Sequence, residues 1–331
     1  MSNRPHVLHL VDDATAGGVT RVLAHIQTCP LMARTARHEV RIVSRKSALP
    51  DSAADLIVSH LSLSWRRLPA LIAFRARHAG TPLVHVEHSY TAAFTALNVP
   101  SKLRFFAMLR SSLALFDSVV AVSAAQADWL ERRRLAPANA LRVIPPVVGL
   151  QDFRVLPAPA TRPSRIGAIG RLHRQKGFDI LIQAFRGLSN PDATLQIFGT
   201  GPEEAALRTL AHGDGRIQFA GHCEIPAKAM ASVDIVAIPS RWEAFGLVAL
   251  EARAAGRRIL TSGIDGLATS AGSDAILVRS NQVRCWKRAL STALSDKQIE
   301  EGRVSECEND FAEAWAQLIF DLAKRDLNSV H

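Results

Sequence analysis

Short apolar runs alternate with longer amphipathic stretches along almost the whole chain, and this alternation limits its fold more than any other feature. A parallel strand buried on both faces reads as a continuous β-branched run, and returning to the next parallel strand requires a crossover, usually a helix. In the first half such runs fall at 6–11, 39–44, 55–59, 83–87, 118–122 and 141–144. In the second half they recur at 165–169, 194–198, 217–219, 234–239 and, more weakly, 258–261, with helices expected at 177–187, 202–211 and 247–255. Between the halves Pro145, Pro146, Pro157, Pro159 and Pro163 crowd one stretch. Prolines at that density suit neither sheet nor helix interior, so the pattern predicts a linker there. The fold class is therefore α/β, with two doubly wound, Rossmann-like domains at 1–150 and 164–305, a linker at 151–163, and a cleft between the domains. A long amphipathic helix is expected over 306–327, with Phe311, Trp315, Leu318, Ile319 and Leu322 at helical spacing.

At 331 residues the chain exceeds one ordinary core, and its 48% hydrophobic and 21% charged content is that of a soluble globular protein. Cys29, Cys223, Cys285 and Cys307 show no metal or redox spacing and read as reduced thiols of a cytoplasmic protein. No secretory signal or membrane-spanning run is predicted. The net charge of +10 is uneven: residues 1–150 carry 18 Lys and Arg against 9 Asp and Glu. A basic first half suits an anionic partner, either a membrane surface or a phosphate-bearing acceptor, as well as simple solubility. Nucleic acid is not expected, because aromatics are only 6% and no recognition motif appears.

Residues 240–256, SRWEAFGLVALEARAAG, concentrate the chemistry. Glu243 and Glu251 flank Phe245, Gly246 and Leu247 where a helix begins after an apolar strand. Eight positions is just over two helical turns, which would place both carboxylates on nearly one face. Free backbone N–H groups at the helix start, with Gly246 leaving them accessible, favour an anion. Two carboxylates around an anion hole fit a ligand with pyrophosphate in the middle and hydroxyls at both ends, a nucleotide sugar. After the strand at 165–169 comes Gly170, then Arg171 and Lys176 before Gly177. A planar guanidinium and a mobile ammonium at a strand tip make a phosphate clamp. In the first half, Gly17 and Gly18 open a helix after the first strand, a place for phosphate or sugar, though a plain tight turn explains them equally. G-x-G-x-x-G spacing is absent, which argues against a dinucleotide enzyme. His88 lies just past a strand and could meet sugar hydroxyls or relay a proton; His85, inside the strand, reads as structural. No metal cluster is evident, so no metal and no cofactor are expected.

GRLHRQKGFDILIQAF, IFGTGP, IQFAGH and SRWEAFGLVALEARAAG together resemble the C-terminal domain of retaining GT-B glycosyltransferases, specifically glycosyltransferase family 4. The order and spacing match across roughly 164–260. The resemblance over 1–150 is looser. It implies that Arg171 and Lys176 neutralise the donor pyrophosphate, that Glu251 holds ribose hydroxyls and Glu243 the donor sugar, and that the backbone at 245–247 lies near phosphate and sugar. His88 resembles the family's histidine beside the transferred sugar. The resemblance also implies a metal-independent hexosyltransferase, and a terminal segment, 306–331, that packs back on the first domain. Pro145-Pro146-Val147 departs from the family's usual Pro-Asn-Gly, and 257–272 is a divergent βα unit.

The expected function is transfer of a hexose from a nucleotide-diphosphate sugar to a glycan or polyprenyl-linked acceptor, in surface polysaccharide or glycolipid synthesis. Alternatives are an epimerase or phosphorylase of the same fold, or an inactive nucleotide-sugar-binding protein. Peripheral attachment to the inner membrane face is a further expectation. Residues 101–116 place Lys102, Arg104 and Arg110 among Leu103, Phe105, Phe106, Met108, Leu109 and Leu113, with Trp129, Arg132, Arg133 and Arg134 nearby. That stretch fits an interfacial helix and a buried core helix equally.

Overall fold

The structure, a computed structural model, describes residues 4–13, 15, 17–45, 47–296 and 307–328, with side chains described as far as Leu322. It divides into two compact units, Met1–Gly149 with Glu306–His331, and Leu150–Ser305. In the first, strands β1 (His6–Val11), β2 (Arg37–Ile42), β3 (Leu56–His60), β4 (Leu83–Glu87), β5 (Ser118–Ala121) and β6 (Leu141–Val143) alternate with helices. These are α1 (Gly18–Thr28), α2 (Pro30–Thr35), α3 (Leu68–Arg77), α4 (Ala92–Asn98), α5 (Lys102–Leu113) and α6 (Ala124–Arg132). The second unit runs α7 (Gln151–Arg154), β7 (Arg165–Ile169), α8 (Phe178–Arg186), β8 (Thr194–Phe198), α9 (Glu204–Ala211), β9 (Ile217–Gly221), α10 (Pro226–Ala231) and β10 (Ile235–Ile238). It continues α11 (Leu247–Ala254), β11 (Arg258–Thr261), α12 (Leu267–Ala271), β12 (Ile276–Leu277) and α13 (Val283–Ser295). Helix α14 (Cys307–Asn328) follows.

Each unit holds a six-stranded sheet, ordered β2-β1-β3-β4-β5-β6 and β12-β11-β10-β7-β8-β9, and every pairing is parallel. Central strands β3 and β4 are buried along their whole length, whereas edge strand β9 alternates half-buried with exposed residues. This is the pattern parallel sheets require when helices cover both faces. Local chemistry sets several helix starts: Thr91 and Ser123 accept hydrogen bonds from the N–H groups of Phe94 and Gln126, and Pro30 and Pro226 open α2 and α10. The topology has one reversal per sheet, between β1 and β3 and between β7 and β10. At such reversals the connections leave in opposite directions, opening a crevice at the carboxyl ends of the strands.

Three departures from the sequence reading have local causes. Strand β2 lies two residues earlier than 39–44, because it takes its register from β1, with His6 opposite Arg37 and Val11 opposite Ile42. Its sequence, RHEVRI, is polar edge material with little apolar signal. Strand β12 is too short for any periodicity to show. The proline-dense stretch contains α7, and its later part is tied down: buried Asp234 accepts from the backbone of Ala160, Ser164 and Arg165 and pairs with the Arg165 guanidinium at 2.7 Å. Burial alone would raise the Asp234 pKa; the Arg165 and backbone hydrogen bonds outweigh it and hold the carboxyl below its usual value.

Phe311, Trp315, Leu318, Ile319 and Leu322 of α14 are buried, and the helix lies against α2. In α5 the two faces differ. Met108, Leu109 and Leu113 enter the core, while Lys102, Leu103 and Arg104 are exposed, Leu103 at 86%. Trp129 is buried rather than on the basic face, and packs 6.5 Å from Phe106. Among the described residues no helix is long and apolar enough to cross a membrane.

Candidate active site

The reversal between β7 and β10 brings together the two loops singled out in the second unit. The β7 loop runs Gly170, Arg171, Leu172, His173, then a 3-10 turn at Arg174–Lys176, and ends at Gly177. Gly177 has φ +67°, and a Cβ there would lie 2.2 Å from the Pro239 carbonyl oxygen, so only glycine allows the two loops this approach. Hydrogen bonds then cross between them. The Arg241 N–H donates to the Gln175 carbonyl at 2.7 Å, and Gln175 Nε2 donates to the Trp242 carbonyl at 3.0 Å. The Arg241 guanidinium holds Asp179 bidentately at 2.9 and 2.6 Å and donates to the Arg174 carbonyl. Burial would raise the Asp179 pKa, but the Arg241 hydrogen bonds and charge more than offset it, leaving an ionised carboxylate.

On this frame Lys176 Nζ meets Glu243 Oε2 at 2.5 Å, and Ser240 Oγ donates to the same oxygen at 3.3 Å. Both charged side chains are largely buried, at 18% and 14% exposure. The backbone of Gly170 passes directly beneath the Lys176 stem. The Arg171 side chain is exposed and makes no hydrogen bond or ion pair among the described residues, which leaves its guanidinium available, while its carbonyl accepts from the His173 N–H at 2.8 Å. Of the cations on this loop, Lys176 is committed to Glu243 and the Arg171 guanidinium is uncommitted.

Glu243 sits just before the start of helix α11, as expected, so the same-face spacing of two helical residues does not apply to Glu243 and Glu251. Helix α11 starts only at Leu247, after Gly246 at φ +96°, so Glu243 lies in the loop and the eight-residue spacing is not helical throughout. A Cβ on Gly246 would come within 2.5 Å of Leu267, and Ser270 Oγ donates to the Phe245 carbonyl at 2.6 Å, fixing the helix entry. Glu251 lies in α11 and is 1% exposed.

In the first unit the reversal between β1 and β3 forms a pocket of about 200 Å³ lined by Asp12, Gly17, Gly18, His60, Glu87 and His88, among others. Gly17 caps α1, and its N–H donates to Thr20 Oγ1 at 3.0 Å. Asp12 receives the backbone N–H of Ser62 at 3.2 Å, tying the β1 and β3 loops together. Glu87 Oε1 accepts from the N–H groups of Ser89 and Tyr90 at 2.8 and 2.9 Å, which shapes the turn carrying His88. Gly17, Gly18 and His88 thus share one pocket, while Arg171, Lys176, Glu243 and Gly246 belong to the other unit. His85 is buried, with Nε2 3.6 Å from Glu87 and Nδ1 3.4 Å from Ser59.

The sequence reading missed the partners of His88. His88 Nε2 lies 2.8 Å from His60 Nδ1, and His60 leads on to His9 and His38. His9 and His60 show in the sequence only as polar rings inside apolar strands, HVLHLV and LIVSH, and His38, in the polar RHEVRI, gives no such signal. It also missed the Arg241–Asp179 brace. No group of three or more His, Cys, Asp or Glu among the described residues is arranged to hold a metal ion.

Two family models match the chain. Residues 14–152 match "Glycosyltransferase Family 4", and 163–296 match "Glycosyl transferases group 1". Curated relatives include a D-inositol 3-phosphate glycosyltransferase of Nocardia farcinica, 28% identical over 87% of this chain and 68% of its own length. Another protein of that name, from Xylanimonas cellulosilytica, is 30% identical over 65% of this chain and 58% of its own length. Among solved structures, the HepE protein of Anabaena in complex with UDP and glucose aligns with TM-score 0.68 at 17% identity, over 99% of both chains. Sucrose-phosphate synthase from Thermosynechococcus elongatus aligns with TM-score 0.71 at 18% identity, over 98% of this chain and 100% of its own.

Proposed function

Because this chain is a glycosyltransferase of the GT-B type, we propose that it transfers a hexose from a nucleotide-diphosphate sugar, with retained anomeric configuration, to a glycan or lipid-linked acceptor in surface polysaccharide or glycolipid synthesis. The observation that carries this reading is the Lys176–Glu243 pair beside the unpaired Arg171 at the β7–β10 reversal. Departure of a nucleoside diphosphate concentrates negative charge on the leaving oxygens and gives the sugar oxocarbenium character. Fixed cations at those oxygens therefore favour the transition state over the ground state. Arg171 is poised for this in the resting site. Lys176 is held by Glu243, and an incoming pyrophosphate competes for the ammonium and frees Glu243 for a sugar hydroxyl. Gly170 and the backbone at 245–247 line the phosphate path, Glu251 serves the ribose, and the leaving phosphate receives the acceptor's proton. Gly17, Gly18 and His88 contact sugar. The two side-chain cations supply the charge a metal would otherwise bring, so the reaction runs without one, and no cofactor is involved. The UDP and glucose bound to the Anabaena neighbour and the names of the curated relatives support a nucleotide-sugar donor.

The acceptor side follows from the basic first half. Lys102, Leu103 and Arg104 are exposed at the start of α5, Arg110 bonds the carbonyls of Arg133 and Arg134, and the Arg133 guanidinium lies over Phe106 at 5.5 Å. A basic face with an exposed leucine suits the headgroup region of an anionic membrane, each basic residue contributing about 1 kcal/mol. The proposal places the enzyme on the cytoplasmic membrane face.

The test incubates the protein, in EDTA, with a panel of nucleotide sugars and candidate acceptors. Donor hydrolysis or transfer, with the product's anomeric configuration read by NMR, supports the reading. A requirement for inorganic phosphate marks a phosphorylase, epimerised donor marks an epimerase, and binding without turnover marks an inactive homologue. Sedimentation with anionic vesicles at low salt, lost when Arg132, Arg133 and Arg134 become Glu, tests the membrane arm.

A further inference from the structure

Four histidines from separate segments line up ring to ring inside the first unit. His38 on β2 places Nδ1 3.0 Å from His9 Nε2, on β1. His9 Nδ1 lies 3.0 Å from His60 Nε2, at the end of β3. His60 Nδ1 lies 2.8 Å from His88 Nε2, just past β4, where His88 lines the pocket. Successive ring centroids are 5.3, 5.3 and 5.1 Å apart. His9 is 0% exposed and His60 8%, and Trp315 of α14 stands edge-on to His9 at 5.9 Å, so water does not reach the middle of the row. At the far end His38 Nε2 is buried and meets no hydrogen-bond partner at close geometry, but the ring lies against the backbone carbonyl of Met32, which favours a ring N–H there.

We propose that His60, His9 and His38 are positioning residues that decide which ring nitrogen of His88 carries its proton in the pocket. A neutral imidazole has one donor and one acceptor nitrogen. His9 and His60 each spend both nitrogens on neighbouring rings, so each must donate on one side and accept on the other. Only two arrangements satisfy all three bonds. Either every ring donates toward His88, leaving His88 with Nε2 bare and Nδ1 protonated, or every ring donates toward His38, leaving His88 protonated on Nε2 and bare on Nδ1. Any mixture sets N–H against N–H, or lone pair against lone pair, in a dry interior and loses a hydrogen bond. The tautomer of His88 is thus tied to a ring three places away and outside the pocket. Neutrality is supported by burial, which lowers His9 to about 3 and His38 and His88 to about 4, and puts His60 well below its ordinary value. A fixed tautomer presents a sugar hydroxyl with one defined donor or acceptor; that consequence rests on the proposed sugar-facing role of His88, whereas the tautomer itself does not.

The experiment is ¹⁵N NMR of the histidine-labelled full chain at pH 7, with His88 assigned by difference against His88→Ala. Nitrogen shifts separate the two tautomers. The expected result is a single His88 tautomer in the wild type, protonated on Nε2, because the Met32 carbonyl beside His38 can only accept and so turns every ring's donor toward His38. His9→Leu cuts the row and keeps an apolar filler, so His60 and His88 are free to pair in either direction and His88 moves to a mixture. His38→Leu removes only the half-buried terminal ring and serves where His9→Leu does not fold; it too shifts the tautomer ratio. A mixed tautomer in the wild type, or an unchanged His88 in a folded variant, overturns the proposal. Wild-type transfer by His88→Ala would remove the sugar-facing role while leaving the tautomer result standing.

Discussion

Gly177→Ala tests whether the two loops at the β7–β10 reversal form one rigid unit. The substitution carries two separable costs. Alanine at φ +67° occupies the left-handed region, worth about 1–2 kcal/mol. The new Cβ also lies 2.2 Å from the Pro239 carbonyl oxygen, a backbone atom that cannot rotate away. Overpacking of this kind adds about 1–3 kcal/mol. Gly213→Ala separates the terms, because Gly213 also has positive φ, +84°, but nothing within 4 Å of its would-be Cβ. Gly213→Ala should therefore cost about 1–2 kcal/mol and leave turnover intact. Gly177→Ala should cost about 2–5 kcal/mol. It should also lower turnover, because the displacement falls on the 2.7 Å Arg241–Gln175 bond and on the Lys176–Glu243 pair beside it. Urea unfolding of both variants gives the stability difference, and steady-state transfer gives the activity. Equal destabilisation with full activity in Gly177→Ala would refute the reasoning, since the loops would then be free to separate.

Arg171→Ala and Lys176→Ala should each lower turnover at saturating donor by about 10²-fold or more, the scale of one lost oxyanion donor, whereas Glu251→Ala should chiefly raise the donor KM; wild-type rates in both cation variants would dismiss the clamp. Acid should destabilise the protein early. His9, 0% exposed and flanked by His38 and His60, has its pKa lowered to about 3 from 6.5, so the unfolded chain takes up its proton first. Stability is then level above about pH 7 and falls as pH drops below 6.5, by about 2 kcal/mol at pH 5 from His9 alone. The lowered carboxyls Asp179 and Asp234 add their loss only at more acid pH, so an unchanged Tm between pH 7 and pH 5 would contradict the buried neutral histidines. Deleting α14 uncovers the surface under Phe311, Trp315 and Leu318 and should cause aggregation or loss of activity, read by light scattering and transfer assay; a soluble, active truncation would make the helix dispensable.

Much of this protein is local and therefore legible in the sequence. Alternating apolar runs place eleven of the twelve strands within two residues, because burial on both faces of a parallel sheet favours β-branched residues in an unbroken run. Two-residue β12 is missed and polar β2 is displaced by two residues, where the local signal is weakest. Gly170, Arg171, Lys176, Glu243 and Gly246 are readable too, since a ligand loop at a strand tip needs glycine and charge at short spacing. The tertiary structure alone decides which distant residues meet. Lys176 reaches Glu243 across 67 positions because β10, not β8 alone, is the neighbour of β7. His9 joins His38 and His60, 29 and 51 positions away, because β1 lies between β2 and β3. Trp129 looks like part of a basic surface in sequence and turns inward because α6 packs its other face on the sheet. Side-chain periodicity reports which face of an element is buried; strand order, set by the competition among all possible pairings, determines what that face is buried against.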